Sequence, residues 1–252
     1  MTTRKPLLWQ GKAVLGNGWA WFTGDSGDNT PHQHLAVQLV IAHKDDVHVN
    51  IAEYGQVASP AIVIAANIKH QLLPGSALVL YLDPESGLGR ALSQRCRTGF
   101  LKIDNRVRNL ILADSQNQIE TDWFRALEKH LGLSVVQIEN ANLSDRVHKL
   151  ILSLPARSEI PKRLGQLAAE TSLSPSRLRH RLSAVAGMPF RAYMRWLRLQ
   201  RALAFAASGA SLTAAAHGAG FSDVAHLTRT MRRHFGVAPR DVLKALRMSQ
   251  NP

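Results

Sequence analysis

Short apolar runs dominate the first third of the chain: Leu35–Ala42, Val47–Ala52, Ala61–Ala65 and Ala77–Leu82. They are rich in Val, Ile and Leu and too short for globular helices, so they predict strands. Turn signals separate them at Gly24–Asp28, Lys44–Asp46, Tyr54–Gly55 and Pro74–Gly75. Strands at that spacing over residues 1–85 predict a small barrel or sandwich. After residue 86 the period lengthens. Ser86–Cys96 reads as a short helix, and Arg106–Asp114, Asp122–Leu131 and Ser144–Leu154 carry apolar residues three and four apart. Two of these pair as a helical hairpin, ended by Gly132 and capped by Asp122 or Ser144. Such a hairpin would cover the barrel or pack internally.

The stretch Leu164–Leu246 is organised differently. Two Ala-rich helices, each followed by a tight turn and a second helix, form two helix-turn-helix units, joined by a long helix over Phe190–Ala207. The second helices open on capping signals: Ser174 ahead of Pro175, and Ser222 ahead of Asp223. Gly218 and Gly220 bracket the second turn, where positive φ suits glycine. The segment 155–161, proline at both ends and polar between, predicts a linker. The division expected is therefore 1–154, linker 155–161, and 162–252, an α+β chain of two domains.

Charge sharpens this division. Residues 1–140 hold 13 basic and 13 acidic side chains, while residues 141–252 hold 18 basic and 5 acidic, so the whole excess of 13 lies in the C-terminal part. A basic, Arg-rich domain carrying helix-turn-helix patterns is the footprint of a phosphate-backbone partner, double-stranded DNA. Cys96 is the only cysteine, which excludes an intrachain disulfide. The N-terminus lacks the apolar stretch of a signal peptide, and no run approaches the ~20 apolar residues of a bilayer span. The expectation is a cytoplasmic protein with no membrane partner.

The motifs carry a family resemblance. Gly220–Pro239, reading Gly-Phe-Ser-Asp-Val-Ala-His-Leu-Thr-Arg-Thr-Met-Arg-Arg-His-Phe-Gly-Val-Ala-Pro, resembles the signature of the AraC/XylS family of bacterial transcription regulators. Upstream, Leu173-Ser-Pro-Ser-Arg-Leu178, Ala186–Tyr193 and Leu197–Ala202 resemble the first half of that domain in the same order. Leu243 and Met231 depart from the family pattern at positions that read as structural. The resemblance implies a transcription regulator, expected to be an activator, that meets RNA polymerase, responds to a small-molecule effector and forms a homodimer. It also implies a cupin-like N-terminal sensor, through the weaker fragments Pro31–His34 and Lys69–Ser76.

A recognition helix must turn polar or small groups outward and pack its back face. In the first unit Leu178, Leu182 and Val185 form the inner stripe, leaving Ser176, Arg179, His180 and Ser183 outside. By family position Ser176, Arg179 and His180 face the groove, and Arg179 has the fork to reach a guanine or a phosphate. In the second unit Leu227, Met231 and Phe235 are the inner stripe, with Phe221 at the turn. Val224, Ala225, His226 and Arg229 face outward, the first two suited to thymine methyls. Ser174, Ser222 and Arg233 are candidate phosphate contacts. Between the units, Tyr193, Met194, Leu197 and Ala204 are available for burial. A linker helix holding both units on one face would set the reading helices about 34 Å apart, one turn of DNA.

His32, His34 and His70 are the remaining constellation. A His-x-His on a strand puts both rings on one face, with His70 arriving from a facing strand. Cupin enzymes add a Glu a few residues later, and Leu35–Val40 contains none. These histidines are the one plausible metal set, but they are expected to line an effector pocket instead, and no cofactor is expected. No nucleophile triad, phosphate-cradling loop or paired carboxylate stands out, so no enzyme and no catalytic residue is expected.

Overall fold

The computed structural model of the chain describes residues 7, 9–16, 19–84, 86–96, 98–115, 121–133, 146–157, 160–161, 163–185 and 189–243. The chain divides into two compact units, Met1–Val135 with Met231–Pro252, and Val136–Thr230. Candidate cap Ser144 and the resembling stretch 186–188 lie outside the described residues.

In the first unit the strands are β1 (Gln10–Gly16), β2 (Trp19–Ser26), β3 (Val37–Ala42), β4 (Val47–Ile51), β5 (Gly55–Ser59), β6 (Ala61–Ile64), β7 (His70–Leu72), β8 (Gly75–Leu82) and β9 (Phe100–Ile103). They form a six-stranded sheet, β1-β2-β8-β3-β6-β9, and a three-stranded sheet, β5-β4-β7. The strand pairs are antiparallel, with β3 central: Leu39 faces Leu80 on one side and Val63 on the other. Each apolar run expected to be a strand is one. The barrel is not closed: the strands stay in two separate sheets among the described residues. Strands β1, β5, β7 and β9 escape the sequence pattern because each is an edge strand with Gly or polar residues in its run, and β2, paired on both sides, because Thr23, Gly24 and Asp25 interrupt its apolar residues.

Three helices follow, α1 (Gly87–Arg95), α2 (Asn105–Ser115) and α3 (Thr121–His130). Side chains alternate across a strand, and the odd-numbered face of β3 meets these helices. Val37, Leu39 and Ile41 share one buried cluster with Leu88, Leu92, Ile111, Trp123 and Leu127. The covering hairpin is thus α2 and α3, tied also by a 2.7 Å contact from His130 Nε2 to Asp114. Gly132 ends α3 as expected. Its φ of 58° lets its own N–H reach the Lys129 carbonyl and Leu133 N–H reach that of Glu128, which satisfies the last free carbonyls of the helix.

The second unit is helical: α4 (Arg146–Ser153), α5 (Leu164–Thr171), α6 (Pro175–Val185), α7 (Phe190–Ala207), α8 (Leu212–Gly218) and the start of α9 (Val224–Phe235). Helix α4 packs on α5 and α6, so the segment 155–161 runs between helices of one unit. Arg157 in that segment grips both oxygens of Glu170, at 2.9 and 2.6 Å, and its carbonyl accepts from Arg201. Helix α7, 18 residues and about 27 Å long, packs against α8. It buries Tyr193, Met194 and Leu197 as expected, and Trp196, Leu199, Ala202, Leu203 and Ala206 besides. Ala204 shares the face of Tyr193 and Leu197 but is exposed, because toward the end of α7 the buried side passes to Leu199, Ala202, Leu203 and Ala206.

Candidate nucleic-acid interface and buried histidine cluster

Helix α6 begins where the sequence places it. Ser174 Oγ accepts from the Arg177 amide at 3.3 Å, satisfying one free donor of the first turn. Leu178 and Leu182 are fully buried, and Ser176, Arg179 and His180 are exposed on the other faces, as is Arg177. Ahead of α6, Ser172 takes the left-handed conformation at φ 55° and closes α5.

Helix α9 corrects one detail. Its capping residue is Asp223, not Ser222: Asp223 Oδ1 accepts from the His226 amide at 2.6 Å. Ser222 Oγ donates to Asp223 Oδ2 at 3.0 Å and lies 3.2 Å from His226 Nδ1. The carboxylate outcompetes the hydroxyl because a charged acceptor makes the stronger bond to the helix terminus. The amide bond and the Ser222 hydroxyl hold the Asp223 carboxyl below its ordinary range. Leu227, Met231 and Phe235 are buried, as is Phe221 at the turn, while Ala225, His226, Arg229 and Arg233 are exposed and Val224 is half-buried.

The two turn glycines divide the work. Gly220, at φ 82°, closes α8 by the same double bond as Gly132: its N–H reaches the His217 carbonyl and Phe221 N–H that of Ala216. Gly218 is the last residue of α8, without positive φ, and is small for another reason. A Cβ there would stand 2.8 Å from the Phe205 ring of α7.

In the first unit His32, His34 and His70 do come together, all of them buried. His32 pairs with His70 as a backbone bridge, and His34 lies outside any strand. The ring centroids of His32 and His34 are 5.6 Å apart, and His70 lies 4.6 and 5.0 Å from them. Each Nδ1 is 2.8–2.9 Å from a main-chain carbonyl: Thr30 for His32, Ala36 for His34, Ile68 for His70. A carbonyl only accepts, so each Nδ1 carries the proton and each Nε2 offers a lone pair. Sequence reasoning passed over the fourth member. Gln38 of β3, on the face away from the helices, sets its amide Oε1 3.0 Å from His34 Nε2 and 2.7 Å from His70 Nε2. One polar residue inside an apolar run, four positions after His34, was the available signal. Burial depresses the pKa of all three rings, His70 to about 3, with the neighbouring imidazoles adding to the effect on His34 and His70.

A family model described as a helix-turn-helix domain matches residues 167–245. The chain carries an AraC-type helix-turn-helix domain. The matched stretch takes in helices α6 and α9 and all seven candidate groove residues. No curated protein matches the sequence. Among solved structures, an apo variant of ToxT from Vibrio cholerae is 12% identical, with a TM-score of 0.60 over 92% of this chain and 98% of that one. Wild-type Vibrio cholerae ToxT bound to an unsaturated fatty acid is 14% identical, with a TM-score of 0.53 over 94% and 97%. At that identity the likeness is one of fold: a sheet-rich N-terminal part preceding the AraC-type domain. No helix among the described residues is long and apolar enough to cross a membrane.

Proposed function

We propose that this DNA-binding transcription regulator is sequence-specific and reads two successive major grooves with one monomer. The observation that carries the reading is the pair of helices α6 and α9. Each buries an apolar stripe and exposes a short polar face at its N-terminal end. Ser176, Arg179 and His180 read one groove; Val224, Ala225, His226 and Arg229 read the next. Ser174, Ser222 and Arg233 meet phosphates. Residues 162–252 form the DNA-binding domain and 1–154 the sensor, which binds a small molecule; the fatty acid bound by ToxT, of like fold, favours this. Activation through RNA polymerase and homodimerisation complete the proposal.

The test is fluorescence-anisotropy binding of the full chain to DNA upstream of its own gene, against the same DNA shuffled, at two salt concentrations. A preference of about 10³-fold or more for the native sequence supports groove reading. Equal affinity for both, collapsing with salt, would leave a non-specific phosphate binder.

A further inference from the structure

In the sequence His32, His34 and His70 form the one plausible metal set, but no acidic ligand follows the His-x-His pair within Leu35–Val40. The geometry of the histidine cluster argues for a metal all the same. One ligand nitrogen from each of three imidazoles lies within 4.8 Å of the others, and the Nε2 atoms of His34 and His70 meet at Gln38 Oε1. Main-chain carbonyls hold all three Nδ1 atoms, the outer arrangement that fixes the tautomer and aims a metal-binding ring.

Two features stand out as unexplained by packing. His32 Nε2 is buried and has no hydrogen-bond partner, an arrangement that is costly for a polar atom without compensation. The Gln38 amide also draws two of the rings to one point, its Oε1 lying 2.7 Å from His70 Nε2 and 3.0 Å from His34 Nε2. The unpartnered His32 Nε2 thus sits beside two further imidazoles gathered at one amide oxygen. A cation supplies what is missing. Adjacent donors around a metal at 2.0–2.1 Å lie about 3 Å apart, which matches the Gln38 contacts; the wider separations close by small ring rotations.

We infer that His32, His34 and His70 bind one divalent transition-metal ion through their Nε2 atoms, with the Gln38 amide oxygen as fourth donor. The ligands are three imidazoles and a neutral amide. Such a set takes zinc, cobalt, nickel or copper and refuses magnesium and calcium, which want several charged oxygens.

The experiment is titration of the chelator-treated full chain with cobalt(II), followed by its visible bands, and with zinc(II) by calorimetry. His32→Ala, Gln38→Ala and the surface control His48→Ala are measured alongside, each checked for fold by circular dichroism. The expected result is one ion per chain, undisturbed by excess magnesium. His32→Ala, which breaks no hydrogen bond of the metal-free ring's Nε2, should lower affinity at least about ten-fold, and His48→Ala should leave it unchanged. No saturable binding, or folded His32→Ala that binds as tightly as the parent, would overturn the inference. Neither outcome touches the DNA-reading proposal, whose variants lie in the other helices.

Discussion

His32 and His70 hold each other twice. Each backbone N–H donates to the other's carbonyl, His32 to His70 at 2.9 Å and His70 to His32 at 2.8 Å, and the two rings lie 4.6 Å apart. The bridge ties the loop before β3 to strand β7 of the smaller sheet, and Gln38 joins it from the larger one. A polar knot therefore joins the two sheets, with the Tyr81 and Phe235 rings 5.3 and 5.9 Å from His34. Its rings are there as neutral bases, and that has a consequence in acid.

The chelator-treated chain is predicted to lose stability as pH falls. The three rings have folded pKa values below the ordinary 6.5, His70 near 3. Above 6.5 folded and unfolded states are alike neutral, and the shift contributes nothing. Below it the unfolded chain takes up protons the folded one refuses, so each ring lowers stability by up to about 1.4 kcal/mol per pH unit. Urea melts at pH 7.5, 6.5 and 5.5 should show a flat upper range and a drop below it, shallower in His70→Gln. Equal midpoints at all three pH values would contradict the assignment of these rings as buried and neutral.

Cys96 is predicted to be silent in the folded protein. It is buried in the cluster shared by β3 and helices α1–α3, and burial pushes its thiol up to about 11. The thiolate is the reactive form, so its concentration near pH 8 is very small. A colorimetric thiol reagent should find no free thiol in native protein and one after addition of denaturant. Rapid labelling of the native chain would mean that α1 opens from the sheet.

How much was legible in the sequence depends on what each residue had to do. Leu178, Leu182, Leu227 and Met231 are read correctly because a buried stripe repeats at helical spacing, and one sequence shows it. Ala204 is misread because α7 changes its buried side along its length, and the cap at Asp223 because it turns on competition. Ser222 and Asp223 are both good caps, and only the helix start decides between them. Gln38 was missed for the opposite reason. Within Val37–Ala42 a lone amide marks a polar position in an apolar run, but it names no partner until the fold brings His34 and His70 to it. Local chemistry is written in the pattern; partners supplied from 32 residues away are not.

The two turn glycines of the second unit should respond differently to alanine. Gly220→Ala forces a Cβ into φ 82°, a strain of about 1–2 kcal/mol. Nothing but the Arg198 side chain, 3.6 Å away, stands near it, so the loss is conformational. At Gly218 the added methyl meets the Phe205 ring at 2.8 Å. That ring is 39% exposed and free to swing outward, while alanine favours the helix over glycine by about 1 kcal/mol. The two effects oppose, and Gly218→Ala should be near neutral. Thermal melts of both variants check the ordering; equal losses would show that Phe205 is held as firmly as backbone.

The arginines of α9 separate reading from holding. Arg229 is exposed on the first turns of α9, beside Ala225 and His226, whereas Arg233 is exposed one turn further along. On the proposed docking, Arg229 reaches base edges and Arg233 a phosphate. Arg229→Ala should then weaken binding to the native site by about 1–3 kcal/mol and flatten preference at one base pair. Arg233→Ala should weaken native and shuffled DNA alike and reduce the slope of log affinity against log salt by about one. Arg179→Ala should behave like Arg229→Ala but at a base pair about one helical turn away. The readout is anisotropy over a salt series with single-base-pair variants of the native site. If the preferences lost with Arg179 and Arg229 fell at the same base pair, the two helices would not be reading successive grooves.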